Sequence, residues 1–263
     1  MSQHVLCSAR RLMLGLICLF AALPALCAPV LRVAFSSQRP PFSFYDDKQG
    51  DTGIEVDIMR AALNKMGYEL KPIIVPNSRL ILEVAKGKAD IASAVHEHGA
   101  DRPGLYLSDG MVEYDNIVIA KKKRRLSIRS LTDLMQHDFV IWQHGWQDLG
   151  EPFRAAFQPD RNGRFRANYH ETANQESQCK MFWANRTELI VIDRTVFSWY
   201  RKKLEASMPT GEDLSFFPLF PQATQYPAAF RSMALRDRFN QELKALRKSG
   251  EYQRIVSRYR LAG

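Results

Sequence analysis

Between Leu31 and Tyr259 the apolar residues switch repeatedly between short continuous runs and helical spacing. Leu31–Phe35 is a short β-rich run, followed by a loop carrying Pro40 and Pro41. Ile54, Ile58, Ala61, Ala62 and Met66 then recur on one helix face, and Gly67 stops the helix. Leu70–Val75 predicts a strand, Leu80–Lys86 a helix ended by Gly87, and Ala89–Ala94 another strand. This strand–helix–strand–helix–strand order implies a parallel sheet with covering helices. The pattern then restarts. Ile117–Ala120 predicts a strand, Ser130 with Asp133 a capped short helix, and Phe139–Trp142 a strand. Thr172 with Gln175 opens a helix through about Trp183, and Leu189–Ile192 is a four-residue apolar strand ending at Asp193. Helices from about Thr195 to Glu205, from Leu235 to Ser249 and onward to Tyr259 complete the chain, with Gly250 between the last two. Two α/β units of similar size fit this order better than one sheet, and the helical tail can return to the first unit.

Open α/β sheets bind ligands beyond the carboxyl ends of their strands. Two such units facing each other make a cleft. Asp193, at the carboxyl end of its strand, would face that cleft, and Arg102, in the loop after Ala89–Ala94, would face it from the other side. A guanidinium on one wall and a carboxylate on the other suit a small zwitterion. Opposite charges on opposite walls would also drive closure around it.

The 263 residues carry 37 Lys and Arg against 28 Asp and Glu, a formal charge of +9. Of these residues, 46% are hydrophobic and 25% charged, which excludes a disordered tail, a collagen-like rod and a small disulfide scaffold. A basic balance points first to nucleic acid or anionic membrane. The N-terminus changes that picture. Arg10 and Arg11 precede the apolar run Leu12–Leu23, Pro24 breaks it, and Ala25, Cys27 and Ala28 follow, the pattern of a secretory signal over residues 1–28. Cleavage after Cys27 or after Ala28 both remain open. The run is shorter than the ~20 apolar residues of a membrane span. Without residues 1–28 the chain holds 35 Lys and Arg against 28 Asp and Glu, or +7, and Cys179 alone of its 4 cysteines. Such a chain has no intramolecular disulfide, and it is large enough to rely on its core. Cys179, beside Met181 and Phe182 in a helical pattern, reads as a buried thiol.

Several motifs follow one another in a fixed order. Arg39-Pro-Pro-Phe-Ser-Phe44 comes after the first strand, Gly53-Ile-Glu-Val-Asp57 at a helix start, and Leu82–Asp90 ends in Gly87-Lys-Ala-Asp90. Asp101-Arg102 precedes Leu107-Ser-Asp-Gly-Met111, Ser130-Leu-Thr-Asp-Leu134 opens the second unit, and Gln225-Tyr-Pro-Ala-Ala-Phe230 leads into the closing helices. Together these resemble the bacterial periplasmic solute-binding proteins of the polar amino-acid type (solute-binding protein family 3), which feed ABC importers. The resemblance implies two Rossmann-like α/β lobes joined by two crossing segments, a type II periplasmic-binding-protein architecture. Lobe one would comprise residues 29–110 and 227–263, lobe two residues 116–221, and the crossings residues 111–115 and 222–226. It implies that Arg102 binds a carboxylate and Asp193 an ammonium, with Ser36, Arg39, Asn77, Ala94, Glu97, Gln143, Gly145 and Trp146 completing the pocket. The pattern is departed from at several of these. Arg39 and Asn77 stand where aromatic residues often stack on the ligand, Val95 replaces a common Gly, Glu97 replaces a Thr, and Gly145-Trp146 replaces Gly-Thr.

The run Lys121–Arg125 reads as a solvated basic loop in an exported chain. On an extended segment His96 and His98 would point to the same side, but the sequence places no third strong metal ligand beside them. A Gly-x-Ser-x-Gly elbow, a dinucleotide fingerprint and a phosphate loop are all missing. The expectation is therefore a non-enzymatic, monomeric periplasmic protein with no cofactor, metal or nucleic-acid partner. It would capture an amino acid or related carboxylate and pass it to an inner-membrane ABC permease. Two alternatives share the scaffold. One is a cyclohexadienyl dehydratase-like enzyme with Glu97 or Asp193 as acid or base. The other is a sensing module for a signalling receptor.

Overall fold

A computed structural model describes residues 28–36, 39–95, 103–220 and 223–259. The predicted signal segment therefore lies almost wholly outside the described residues. So do His96, Glu97, His98, Asp101, Arg102 and Gln222.

Two five-stranded sheets organise the chain. In the first, β1 (Val30–Ser36) pairs in parallel with β4 (Glu69–Val75) on one side and β5 (Ile91–Ala92) on the other. Then β12 (Thr224–Phe230) pairs antiparallel with both β5 and β6 (Tyr106–Tyr114). A small hairpin, β2 (Phe44–Asp46) with β3 (Gly50–Thr52), stands apart. In the second sheet β10 (Leu189–Asp193) is central. It runs parallel to β8 (Phe139–Trp142), which pairs in parallel with β9 (Tyr169–Thr172). On its other side β10 is antiparallel to β7 (Asn116–Lys121), which is antiparallel to β11 (Leu214–Phe217). The sheets are thus mixed rather than purely parallel, as the sequence pattern implied. The difference lies in strands reached from the opposite sheet.

The chain leaves the first sheet at Tyr114 and enters the second at Asn116; it leaves the second at Phe217 and rejoins the first at Thr224. The outgoing and returning segments pair with each other, Tyr114 opposite Thr224 and Val112 opposite Tyr226. Pro227 lacks the N–H a ladder needs, and the register shifts on both sides of it, as a bulge allows.

Helices cover the sheets. Helix α1 (Ile54–Lys65) buries Ile54, Val56, Ile58, Met59, Ala62 and Leu63. It also buries Glu55 on that apolar surface. Its start requires glycine, because Gly53 has φ 126° and a Cβ there would lie 2.3 Å from the Phe42 carbonyl oxygen. Helix α2 (Leu80–Ala85) packs Leu80 and Val84 on the opposite face of the first sheet. In the second unit α3 (Leu131–Leu134) begins as the sequence predicts, with Ser130 Oγ accepting the Asp133 N–H. Helices α4 (Glu151–Phe157), α5 (Gln175–Trp183) and α6 (Arg194–Leu204) complete that unit. Thr172 ends β9, so the N-cap of α5 is Asn174, which accepts the Ser177 N–H at 2.8 Å. Helices α7 (Met233–Lys248) and α8 (Glu251–Tyr259) return to the first unit. There Tyr259 Oη donates to Asp57 at 2.7 Å and accepts the Gly53 N–H.

In the basic run Lys122, Lys123 and Arg125 are exposed, as a solvated loop requires, but Lys121 is not. Lys121 is buried on β7, where Nζ meets Glu212 at 2.9 Å, the Trp183 carbonyl and Asn185. Lys122, Lys123 and Arg124 form a short turn and pair with Asp213, Glu212 and Glu188. Cys179 is buried, as expected, and burial pushes its thiol well above the ordinary range. No helix among the described residues is long and apolar enough to cross a membrane, and no metal-binding cluster of His, Cys, Asp or Glu occurs among them.

Candidate functional site

A cleft of ≈ 1160 Å³ opens between the two sheets. Ser36 at the end of β1, Arg39, and Pro76–Ser78 after β4 line it from the first unit. Trp142 at the end of β8, the loop through Gln143, His144, Trp146, Gln147 and Asp148, residues 173–175, and Asp193 line it from the second. Tyr114, Asn116 and Tyr226 line it from the crossing segments. The lining thus gathers at carboxyl ends of parallel strands, where open α/β sheets place ligands.

Asp193 reaches the cleft because β10 is buried throughout and ends there. The residue is 2% exposed. Its Oδ1 accepts the N–H groups of Thr195 at 2.8 Å and Val196 at 2.9 Å, which makes it the N-cap of α6. Its Oδ2 accepts the Asp115 N–H from the crossing segment at 2.8 Å. Burial pushes its pKa up to about 7; the three backbone N–H groups oppose this and the Asp115 charge adds to it. Capping and facing the cleft are therefore compatible. The carboxylate is fixed by backbone donors, and none of those donors carries a charge.

The first wall is built differently. Arg39 Nη2 donates to Glu55 Oε1 at 2.6 Å, and the two side chains are 17% and 0% exposed. Glu55 also accepts Tyr114 Oη at 3.0 Å and Ser93 Oγ at 3.1 Å. The Arg39 guanidinium lies 5.3 Å from the Tyr114 ring, which stacks on Phe42 at 4.0 Å and meets Tyr226 edge-on at 4.9 Å. Burial is the largest influence on the Arg39 charge and works against it, but the Glu55 carboxylate together with the Tyr114 and Tyr226 phenols outweighs it and raises the guanidinium pKa. The Arg39 Nε–H is buried with no acceptor.

On the second wall, Trp142 Nε1 donates to Asp148 at 2.9 Å, so an acid and an indole face the cleft as one unit. Arg154 also lines the cleft and pairs with Glu151. Burial, then the Asp148 charge, raises the Tyr226 phenol well above its usual range.

Of the residues singled out from sequence, Ser36, Arg39, Asn77, Gln143, Trp146 and Asp193 come together around this cleft. Ala94 is buried with φ 45°, and Gly145 is buried; neither belongs to the lining. Gly145 does not take a positive φ, which falls instead to His144. A Cβ at Gly145 would lie 2.7 Å from Ile141 Cδ1, so close packing accounts for the glycine. Glu97 and Arg102 lie outside the described residues. Arg79, two residues after Asn77, is exposed and off the lining. Sequence reasoning missed Glu55, Tyr114, Asp148 and Tyr226. Only Glu55 left a signal, an acid on the stripe shared with Met59, Ala62 and Met66.

A family model described as bacterial extracellular solute-binding proteins, family 3, matches residues 31–262. No curated protein matches the chain. Among solved structures, the GluR0 ligand-binding core in complex with L-glutamate is similar at 19% identity and TM-score 0.70, over 89% of this chain and 99% of that one. An ancestral arginine-binding protein bound to arginine is similar at 21% identity and TM-score 0.66, over 88% and 97%. An ABC uptake transporter substrate-binding protein from Streptococcus pneumoniae with bound histidine gives 18% and 0.66, over 88% and 92%.

Proposed function

We propose, for a chain that belongs to the family 3 bacterial extracellular solute-binding proteins, that the cleft captures an amino acid or a related small zwitterionic carboxylate. Asp193 receives the ammonium group and Arg102 the carboxylate. Ser36, Arg39, Asn77, Ala94, Glu97, Gln143, Gly145 and Trp146 shape the remainder of the pocket. Lobe one is residues 29–110 with 227–263, lobe two residues 116–221, and the lobes close about residues 111–115 and 222–226. The protein is exported by its N-terminal signal, works in the periplasm as a monomer, and presents its ligand to an inner-membrane ABC permease.

The observation that carries this reading is Asp193: a buried carboxylate on the cleft, held only by backbone donors, whose charge burial disfavours. A buried acid with no charged donor gains most from a cation brought to it. No covalent chemistry is invoked. The raised carboxyl also fits an acid–base role, so turnover of prephenate or arogenate is assayed in parallel and is expected to be nil.

The test is a thermal-shift screen of the protein against amino acids, polyamines and organic acids. A ligand at 100 times its Kd stabilises the native state by about 2.7 kcal/mol. At least one amino acid is expected to shift the transition, with Asp193→Ala and Arg102→Ala abolishing the shift. A screen in which no small polar solute moves the transition defeats the uptake reading. Unchanged binding by both variants defeats the site.

A further inference from the structure

The two walls treat charge differently, and the difference bears on which solutes the cleft admits. This inference rests on the amino-acid-binding reading above and narrows its ligand class. Arg39 is the cation that the described residues of the first unit bring to the cleft, and Glu55 stands against it at 2.6 Å without exposure of its own. Glu55 cannot swing aside for an incoming carboxylate, because Tyr114 and Ser93 hold its two oxygens from separate elements. The pair therefore shows a ligand hydrogen-bond donors and little net charge. On the facing wall Asp148 and Asp193 both line the cleft, and Arg154 has Glu151 beside it.

We infer that Glu55 is a specificity-determining residue: by cancelling the Arg39 charge at a fixed geometry, it restricts the cleft to amino acids of zero or positive net charge and excludes dicarboxylates. Arg39 remains a donor to a neutral acceptor such as a carboxamide, and its buried Nε–H, which has no acceptor, is consistent with a guanidinium oriented for Glu55 first.

L-glutamine and L-glutamate have the same shape and differ in one charge, so their affinity ratio reads this property directly. Calorimetry on the protein purified after expression of the complete chain should give wild-type binding of glutamine about tenfold or more tighter than glutamate. Glu55→Gln leaves the Arg39 charge uncancelled and should shrink that ratio by about tenfold, with glutamate gaining in absolute affinity. The double variant R39Q/E55Q removes both charges and should restore the wild-type ratio. Ser93→Ala, which loosens one Glu55 oxygen but removes no charge, should shrink the ratio by less than E55Q does. A purely structural Glu55 would weaken both ligands equally in E55Q. That result, or a wild-type preference for glutamate, overturns the inference while leaving amino-acid capture intact. Should E55Q not fold, the wild-type ratio alone decides. If neither amino acid binds but another neutral amino acid does, the same ratio is read with that amino acid against its acidic isostere. If no amino acid binds at all, the functional reading falls and this inference falls with it.

Discussion

The proposed role of Asp193 predicts a pH dependence of ligand capture of definite size. In the empty cleft its pKa is about 7, raised mainly by burial. Only the ionised carboxylate attracts an ammonium, so a ligand that requires it must displace the proton. The apparent Kd then rises as one plus ten to the power (7 − pH), which is about 2 at pH 7, about 11 at pH 6 and about 100 at pH 5. Affinity for a neutral amino acid should therefore fall about 50-fold between pH 7 and pH 5, and binding at pH 7 should release about half a proton. Calorimetry in buffers of different ionisation enthalpy measures both quantities. His144 lines the same cleft, so the series belongs in a His144→Gln background. Asp193→Asn should bind weakly with no such dependence. The stability of the empty protein carries the opposite sign from that of an ordinary carboxylate. The folded state holds the Asp193 proton up to about 7, whereas the unfolded chain releases it near 3.8. Hence this group's contribution is largest below the unfolded pKa and is lost as pH rises toward 7, about 4 kcal/mol in all. A Kd that stays flat from pH 7 to 5, with no proton released, would refute the assignment of Asp193 as the cation-binding group.

Three further expectations concern the scaffold. Gly53→Ala should cost about 3 kcal/mol or more in urea denaturation, because its Cβ would meet the Phe42 carbonyl at 2.3 Å and φ 126° disfavours any side chain. A soluble variant with an unchanged midpoint would show that the α1 start relaxes at little cost. Tyr259→Phe leaves the Gly53 N–H, Thr52 and Asp57 without the phenol that joins them; about 1–3 kcal/mol should be lost, and amide exchange in α8 should quicken. Ser232→Ala removes the α7 N-cap acceptor for the Leu235 N–H and should cost about 1 kcal/mol with ligand affinity unaltered.

The legible parts of this protein are those whose cause is local. Leu189–Ile192 followed by an acid is enough to put Asp193 at a strand's carboxyl end, and β10 does carry it to the cleft. Ser130 and Asp133 declare their cap in four residues. The parts that escaped depend on pairing across long separations. β6 contains Ser108, Asp109 and Gly110, which are poor strand formers, and it is a strand because β12 lies beside it. Tyr114 and Tyr226 enter the lining only through that pairing. Gly145 shows the limit from the other side: it stands among the pocket residues by resemblance, but its glycine is required by the Ile141 side chain packed against it. Glu55 was half legible. An acid on the stripe of Met59, Ala62 and Met66 demands a partner, but nothing nearby in the sequence says that the partner is Arg39, across a loop and a hairpin.

The basic surplus of the chain acquires a different meaning once these contacts are in place. Lys121–Arg124 are matched by Glu212, Asp213 and Glu188 in neighbouring loops, so part of the positive surplus is balanced within the second unit. Within the cleft, Arg39 is cancelled by Glu55, and Asp193 is held by uncharged donors alone. On the proposed assignment the free energy of capture should therefore come chiefly from Asp193, where a ligand cation relieves a disfavoured charge, and from Arg102 on the carboxylate, whereas Arg39 contributes orientation as a fixed donor. Two consequences can be measured. Raising salt should weaken capture only slightly, since the Asp193 contact is buried and screened little. Arg39→Gln should cost less affinity for a neutral amino acid than Arg102→Ala, and the reverse order would make Arg39 the carboxylate clamp.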